Sequence, residues 1–255
     1  MKKSGKIIAV AGKGGVGKST IAALLVRYLV KQKIGSVLAV DADPNSNLGD
    51  YLGFSPKQDI GRIIDEISKN INQVPVSMSK DEFISYRIET TLDEADGFDL
   101  LTLGRPEGSG CYCYANNVLR TVLLRFMSSY DYIVIDNEAG FEHLSRKTVK
   151  QIDALIIVSD NTGNGLKAAK RTFELVNELQ IKYKNIYLLV NKADVDSRKK
   201  IEFPAEVIGF TSNNMDLAGG INSNVTDLNE NTTLIKETNE IFSLIFERSE
   251  SCLKS

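Results

Sequence analysis

A glycine-rich stretch near the amino terminus has the composition of a phosphate-binding loop. The residues AGKGGVGKST (11–20) fit the pattern G-x-x-x-x-G-K-[ST]. Glycines let successive backbone N–H groups point at phosphate oxygens, and the helix that follows adds the partial positive charge of its N-terminus. In such a loop the lysine contacts the β- and γ-phosphates and the serine hydroxyl ligates Mg²⁺. We therefore predict that a nucleoside triphosphate is bound by Gly12, Lys13, Gly14, Gly15, Val16, Gly17, Lys18, Ser19 and Thr20.

A pair of cysteines lies in the middle of the chain, in the stretch GSGCYCYANN (108–117). Cys111 and Cys113 supply two thiols, and two thiolates at about 2.3 Å from a metal ion form half of a tetrahedral site. On a helix, residues two apart point about 200° from each other, whereas in an extended segment they face the same side. We predict a loop that leads into a helix, with a second copy of the chain completing the site across a two-fold axis. Redox thiols and buried apolar filler are the alternatives.

The composition is that of a soluble globular protein. The 255-residue chain contains 42% apolar and 25% charged residues, with a formal net charge of −2. This balance does not predict an extended surface for nucleic acid. No apolar run approaches the roughly 18 residues that span a bilayer, and the apolar run after Lys6 is too short for a signal peptide. We expect a cytoplasmic protein that binds neither nucleic acid nor membrane, with cysteines that form no disulfide framework.

Short apolar runs rich in Val and Ile alternate with segments of helical periodicity. Most runs are continuous, which is typical of parallel strands buried on both faces. Strands are predicted at Ile7–Val10, Val37–Val40, Leu100–Leu103, Tyr132–Ile135, Leu155–Val158, Ile186–Val190 and Glu206–Gly209. Helices are predicted at 18–32, 58–70, 80–92, 115–128, 163–180 and 232–248, and Ser79 with Glu82 forms a capping-box signal. The alternation predicts an α/β fold with a doubly wound, mostly parallel sheet flanked by helices. We expect a single domain over 1–255, with a helical insertion at about 54–98.

Polar side chains follow three of the predicted strands. The stretch VLAVDADPN (37–45) ends in Asp41 and Asp43, which also suit a plain turn. In YDYIVIDNEAG (130–140), Asp136 follows four apolar residues, a Walker B pattern whose aspartate holds Mg²⁺ through water. Asn191 begins the sequence N-K-x-D, which ends at Asp194 and is the guanine-reading motif of GTPases.

The run KGGVGKS (13–19), with its additional lysine, resembles the deviant Walker A motif of the MinD/ParA/nitrogenase iron protein superfamily of P-loop ATPases. The resemblance implies that Lys13 crosses a homodimer interface to the partner's nucleotide, where a cation stabilises the charge on the transferred phosphoryl group. It also implies that Lys18 is catalytic, that Asp43 orients the attacking water and that Asp41 lies near the Mg²⁺ shell. Asn191 would contact the base. We favour ATP over GTP, because this type of loop accompanies ATP in the superfamily.

Two longer stretches give a closer resemblance. GRPEGSGCYCYANNVLR (104–120) and VIDNEAGFEHLSR (134–146) are similar to the nickel-insertion accessory ATPases of the CooC/AcsF type, which serve carbon monoxide dehydrogenase and acetyl-CoA synthase. The similarity extends from residue 5 to about 192. It implies a dimeric metallochaperone that holds Ni²⁺ or Zn²⁺ between subunits through Cys111 and Cys113, and a client nickel enzyme. Segments 41–50 and 136–147 would be the switches that respond to hydrolysis.

Two other functions remain as alternatives. A reductase like the nitrogenase iron protein would bridge an iron–sulfur cluster between subunits, and four cysteines of two Cys-x-Cys pairs could hold one. A positioning ATPase like MinD or ParA would bind a membrane or DNA. The carboxyl-terminal helix predicted at 232–248 carries acidic residues that disfavour anionic lipid. His143 is expected to be structural, Cys252 is expected to be incidental, and the residues of 206–214 that would close over the base are not assigned.

Overall fold

A parallel sheet forms the centre of the fold. The computed structural model describes residues 5–105, 111–138, 152–193, 201–213, 225 and 228–251. Eight strands are present in this part of the chain: β1 (Lys6–Gly12), β2 (Val37–Ala42), β3 (Asp93–Glu94), β4 (Asp99–Thr102), β5 (Tyr132–Asn137), β6 (Ile152–Asp160), β7 (Tyr183–Asn191) and β8 (Glu206–Phe210). Their order across the sheet is β3-β4-β2-β5-β1-β6-β7-β8. All neighbours pair in parallel except β3 and β4.

Helices cover both faces of the sheet, with a hydrophobic core under each layer. They are α1 (Lys18–Lys31), α2 (Leu48–Tyr51), α3 (Ile60–Lys69), α4 (Lys80–Thr90), α5 (Cys111–Phe126), α6 (Gly163–Glu178) and α7 (Thr233–Ser251). Apolar side chains of α1, α2 and α7 pack in one core, and those of α3, α4, α5 and α6 pack in the other. Covering both faces of a continuous apolar strand is what allows β1, β2 and β5 to be almost entirely buried.

The elements predicted from the sequence are present, with differences at the edge of the sheet and at α5. Each of the seven predicted strands lies at its expected place, and the capping box of Ser79 and Glu82 forms at the start of α4. In segment 54–98, predicted as a helical insertion, the structure contains α3, α4 and also the antiparallel edge strand β3. The prediction that α5 starts at 115 is wrong, because α5 begins at Cys111. None of the helices within the described residues is long and apolar enough to cross a membrane.

The polar residues singled out in the sequence lie at one edge of the sheet. The phosphate loop follows β1, Asp41 lies near the end of β2, and Asp136 lies near the end of β5. Asn191 ends β7. Because these strands are parallel, their carboxyl ends share one edge, which is where open α/β sheets bind ligands.

Candidate functional site

The phosphate loop curls from β1 into α1, and two of its glycines, Gly14 and Gly15, face open space. Gly17 caps α1 in the left-handed region, with φ 96°. A Cβ at Gly17 would lie 2.3 Å from Nδ2 of Asn191, so both backbone and space require glycine there. No atom lies within 4 Å of the Cβ position of Gly14. The loop therefore leaves room for phosphate beside its N–H groups and the N-terminus of α1.

Two lysines of the loop have different surroundings. Lys18 is 8% exposed, and its Nζ lies 3.5 Å from the carbonyl oxygen of Lys13. Lys13 itself is exposed. A buried ammonium beside open phosphate space can bind this chain's own ligand, whereas an exposed lysine is free to extend away from it.

Asp41 and Asp136 form a pair of buried carboxylates below the loop. They lie opposite each other in the parallel register of β2 and β5, and neither is exposed. Burial, followed by the nearby Asp136 carboxylate, raises the pKa of Asp41 to about 7. Burial raises the pKa of Asp136 to about 6, although the Ser19 hydroxyl and Lys18 oppose the rise. A pair of this kind is costly to ionise without a cation.

The carboxylate of Asp136 has unsatisfied oxygen atoms. Neither Oδ1 nor Oδ2 has a hydrogen-bond partner of good geometry among the described residues, although the Ser19 hydroxyl lies near enough to lower the pKa of Asp136. Hard divalent cations such as Mg²⁺ prefer carboxylate, hydroxyl and phosphate oxygens. The residues present therefore fit Mg²⁺, and Ser19 and Asp136 are the side chains that would hold it.

Asp41 holds the segment that follows β2. Its Oδ2 accepts a hydrogen bond from the Leu48 N–H at 2.8 Å, and its Oδ1 accepts one from the Asp43 N–H at 3.1 Å. Asp43 in turn accepts from the backbone and side-chain amides of Asn45, both at 2.9 Å. Asp43 and Asn45 line the cavity above the loop. Since both oxygens of Asp41 accept backbone N–H groups, its direct contribution is to shape this segment around Asp43.

A second part of the cavity lining comes from the ends of β7 and β8 and the residues that follow them. Asn191 donates from Nδ2 to the carbonyl oxygen of Val16 at 2.8 Å and accepts at Oδ1 from the Thr211 hydroxyl at 2.7 Å. Lys192 donates from Nζ to the carbonyl oxygen of Gly15 at 2.9 Å. Both side chains thus tie the end of β7 to the phosphate loop.

A cavity of about 520 Å³ connects these groups, a size within the usual range for small-molecule sites. Residues predicted from the sequence line much of it, namely Gly14, Gly15, Gly17, Lys18, Ser19, Thr20, Asp43 and Asn191. The sequence analysis did not assign the rest of the lining, which consists of Asn45, Asn47, Tyr51, Lys192, Ser212, Asn213 and Leu234. Ser212 and Asn213 could have been found, because they follow a predicted strand whose end reaches the same edge. Leu234 carries no such signal.

The cysteine pair lies in the first turn of α5, termed here the cysteine turn (residues 111–113). The prediction of an extended loop at the pair is wrong, because α5 is helical from Cys111 onward. Cys113 is exposed. Helical backbone separates residues two apart by about 200°, so one ion is not bound by both thiols while this turn stays helical. Within the described residues, no group of three or more His, Cys, Asp or Glu side chains is placed to hold a metal ion.

A backbone path leads from Asp41 towards the cysteine turn. The Leu103 N–H donates to the carbonyl oxygen of Asp41 at 2.8 Å, and the Leu103 carbonyl oxygen accepts from the Gly61 N–H at 3.0 Å. Gly104 follows in the left-handed region, with φ 65°, and a Cβ there would lie 2.2 Å from Oδ1 of Asp59. The chain therefore leaves the sheet towards Cys111 from a tightly fixed point.

Several residues named in the sequence analysis lie outside the described residues. They are His143 of the second switch, Asp194 of the N-K-x-D sequence, and Cys252. The side chain of Cys111 also lies outside them.

Comparison with known proteins places the chain among nucleotide-binding proteins. A family model described as the CobQ/CobB/MinD/ParA nucleotide binding domain matches residues 7–243. The chain is 43% identical over 206 residues to an uncharacterized ATP-binding protein of Methanocaldococcus jannaschii, covering 80% of this chain and 81% of that protein. It is 33% identical over 188 residues to the carbon monoxide dehydrogenase accessory protein CooC of Rhodospirillum rubrum, covering 69% of this chain and 70% of that protein.

Solved structures share the architecture. The MinD cell division protein of Aquifex aeolicus matches with a TM-score of 0.68 at 22% identity, covering 95% of this chain and 97% of that one. A ParA family ATPase from Chlorobium tepidum matches with a TM-score of 0.69 at 22% identity, covering 94% and 98%. The predicted fold class, a mostly parallel doubly wound sheet flanked by helices, is confirmed.

Proposed function

We propose that this chain, which belongs to the CobQ/CobB/MinD/ParA nucleotide-binding family and is an ATPase, acts as a dimeric metallochaperone. In this proposal, ATP hydrolysis controls a metal ion bound by the Cys111 and Cys113 pairs of two subunits. The ion is the cargo, Ni²⁺ or Zn²⁺, and the recipient is a nickel enzyme such as carbon monoxide dehydrogenase or acetyl-CoA synthase.

The phosphate end of the cavity performs the hydrolysis in this proposal. Lys18, buried beside the open face of the loop, binds the β- and γ-phosphates. Ser19 and Asp136 would hold Mg²⁺, which neutralises phosphate charge in the transition state. Asp43, fixed by Asn45 and by the Asp41 carboxylate, orients the attacking water and faces the cavity.

Lys13 supplies the argument for a dimer. Its exposed side chain stands in the phosphate loop, while the buried Lys18 already serves this chain's own phosphates. A cation from a facing subunit would stabilise the same transition state as an arginine finger does. Hydrolysis then depends on the closed dimer, and the dimer also brings two cysteine turns together.

The observation that carries the proposal is the anchoring of Leu103, eight residues before Cys111, on Asp41. The carbonyl oxygen of Asp41 accepts from Leu103, while its carboxylate holds Asp43 and Leu48 of the first switch. A change in the switch when the γ-phosphate leaves would therefore shift the point from which the chain departs towards Cys111. This is a two-state element biased by the nucleotide.

Metal binding requires the cysteine turn to open. From Tyr114 onward α5 is fastened, because the Tyr114 hydroxyl donates to Asp81 of α4 and Ala115 is fully buried. Cys113 is exposed, so unwinding the turn before Tyr114 removes little burial at this residue. Extended backbone then lets two thiolates of one chain face one ion. Two chains provide four thiolates, a donor set that suits Zn²⁺ and other thiophilic ions.

One relative supports this choice of client. It is 33% identical to this chain and is described as a carbon monoxide dehydrogenase accessory protein. Carbon monoxide dehydrogenase as the client is carried over from that relative, whereas nickel as the cargo follows from the resemblance of the cysteine stretch to nickel-insertion accessory ATPases.

The test is the metal content per dimer with ATP, with ADP and without nucleotide. Wild type should bind one ion per dimer, in an amount that changes with the nucleotide. The double variant Cys111→Ala plus Cys113→Ala should lose the ion. The matched control is Cys252→Ala, which removes the only other cysteine and should leave metal content unchanged.

Other outcomes would select a different function. Metal retained by the double variant would end the proposal. Stoichiometric iron with an absorbance band at about 400 nm would indicate a cluster-bridged reductase instead. ATP-dependent binding to liposomes or DNA without bound metal would indicate a positioning ATPase.

A further inference from the structure

We propose that Glu237 of α7 is a positioning residue for the nucleotide base. It holds the loop formed by residues 211–213, termed here the base loop, in the place where the loop can close the cavity over the base. The proposal concerns the ATP site alone and stands whether or not the chain carries a metal ion.

Glu237 accepts two hydrogen bonds from the base loop. The Ser212 N–H donates to Oε2 at 2.7 Å, and the Ser212 hydroxyl donates to Oε1 at 2.8 Å. Both oxygens of the carboxylate thus bind one residue. Hydrogen bonds to an ionised acceptor are about twice as strong as those between neutral groups. The bidentate arrangement fixes both the backbone and the side chain of Ser212.

The opposite side of the base loop is fastened to the phosphate loop. The Thr211 hydroxyl donates to Asn191, whose own amide donates to Val16. The backbone of Thr211 also donates to Val190 and accepts from Ala193, both at 2.9 Å. The base loop therefore lies between the phosphate loop and α7. Glu237 holds it on the α7 side.

The elements that line the cavity indicate which part of the ligand the base loop serves. The glycines and Lys18 belong to the phosphate loop, whereas Ser212, Asn213 and Leu234 line the cavity from the end of β8 and from α7. Leu234 is an apolar wall suited to the face of a base. It lies three residues before Glu237, on the same side of α7. One helix therefore supplies both an apolar contact and the carboxylate that places the base loop.

The anchoring of α7 does not depend on Glu237. Ile241, Phe242 and Ile245 are buried in the core shared with α1. Gly209 of β8 packs against α7 so closely that a Cβ there would lie 2.5 Å from Cγ1 of Ile241. Removal of the Glu237 carboxylate should release the base loop without unfolding the helix.

The test compares ATP with inorganic triphosphate, both in Mg²⁺, by calorimetry. Triphosphate occupies the phosphate end but has no base. Glu237→Ala should weaken ATP binding about tenfold. The variant loses two charge-assisted hydrogen bonds, and water molecules that bind the freed groups compensate for part of that loss. Triphosphate affinity and kcat at saturating ATP should stay within about twofold, because neither depends on the base loop.

Three further variants sharpen the comparison. Glu237→Gln, which keeps one oxygen acceptor, should fall between wild type and Glu237→Ala. Ser212→Ala keeps the N–H bond and should weaken ATP binding by about threefold. Glu240→Ala removes an exposed carboxylate one turn further along α7 and should change nothing.

Two results would overturn the proposal. An unchanged ATP affinity in Glu237→Ala would show that the base loop needs no carboxylate. An equal loss of ATP and triphosphate affinity would show that the carboxylate supports the whole fold rather than the base end of the cavity.

Discussion

The carboxyl-terminal edge of the sheet that carries the phosphate loop, Asp41, Asp136 and Asn191 is termed here the nucleotide edge. It differs from the cysteine turn in how firmly the fold holds its side chains. At the nucleotide edge, Asp41 and Asp136 are buried, and Asn191 and Thr211 are linked by hydrogen bonds to each other and to the phosphate loop. The cysteine turn begins a helix whose third residue, Cys113, is exposed. From Cys113 onward, the first buried side chain of α5 is that of Ala115.

This contrast fits a division of work between the two regions. A site that must bind a triphosphate and stabilise its transition state gains from side chains fixed in advance. A site that must accept an ion and then release it gains from a backbone that can change conformation at low cost. The four predictions that follow test the contrast, beginning with the largest expected effect.

Lys13→Ala should lower ATP turnover by about 10³-fold or more, the effect of removing an arginine finger, with ATP affinity changed only a few-fold. Asp43→Asn should also be nearly inactive. If Lys13 acts on the partner's nucleotide, an equal mixture of the two variants regains activity, because each mixed dimer contains one complete site. Roughly a quarter of wild-type activity is expected from random pairing. A mixture as inactive as its parts would place Lys13 in its own subunit's site.

The buried pair of Asp41 and Asp136 should make stability depend on pH. Their pKa values, about 7 and about 6, lie above the usual carboxyl range. Stability from the protonated pair is therefore complete below about pH 4 and is lost as the pH rises through 6 to 7. Without Mg²⁺, the free energy of unfolding measured with denaturant should fall by about 4 kcal/mol between pH 5 and pH 8.

Two comparisons test the cause of that slope. Asp136→Asn should reduce the change of the free energy of unfolding with pH. Mg²⁺ should raise the free energy of unfolding of the wild type more at pH 8 than at pH 5.5. An unchanged slope in Asp136→Asn would assign the pH dependence to other groups.

Gly104→Ala should weaken communication between the two regions. The added Cβ would approach Asp59 at a position with φ 65°, so the backbone must shift where the chain leaves the sheet. We expect ATP turnover within about twofold of wild type. The ratio of Zn²⁺ affinities with an ATP analogue and with ADP should fall from about tenfold in wild type to about twofold in the variant. Gly97→Ala is the matched control, because it strains a glycine of the β3–β4 turn, away from this path. Equal effects of both variants would contradict the path through Leu103 and Gly104.

Tyr114→Phe should have the smallest effect. It removes the hydrogen bond to Asp81 that ties α5 to α4. Burial is the main cause of the raised pKa of Tyr114, and this hydrogen bond is the second cause. Amide hydrogen exchange in the cysteine turn should become about threefold faster, as expected for a modest hydrogen bond. Tyr130→Phe, which removes a similar bond to Asp99, should leave exchange in the cysteine turn unchanged. Equal acceleration in both would mean that α5 loosens as a whole.

Much of the fold was predictable because its signals are local. The buried parallel strands appear as continuous apolar runs, and the phosphate loop combines glycines, a lysine and a serine in one short stretch. Strand β3 has only two residues and helix α2 only four, too few to show a period. Both form because neighbouring elements supply hydrogen bonds and apolar contacts.

The parts of the site that were not predicted depend on tertiary contact. Ser212 and Glu237 are 25 residues apart, and nothing in either local sequence indicates that they meet. The start of α5 was predicted too late because the glycines before Cys111 suggest a loop. Packing of Tyr114 and Ala115 against the α4 layer instead favours a helix that begins at the cysteine pair.

The most direct test of the account is the affinity of the wild-type dimer for Zn²⁺, measured by competition with a chelator, with a non-hydrolysable ATP analogue and with ADP. If the nucleotide edge controls the cysteine turn, the two affinities differ by about fivefold or more, and the difference disappears in Cys111→Ala plus Cys113→Ala. Equal affinities in both nucleotide states would contradict the account, since the metal site would then be independent of the ATPase.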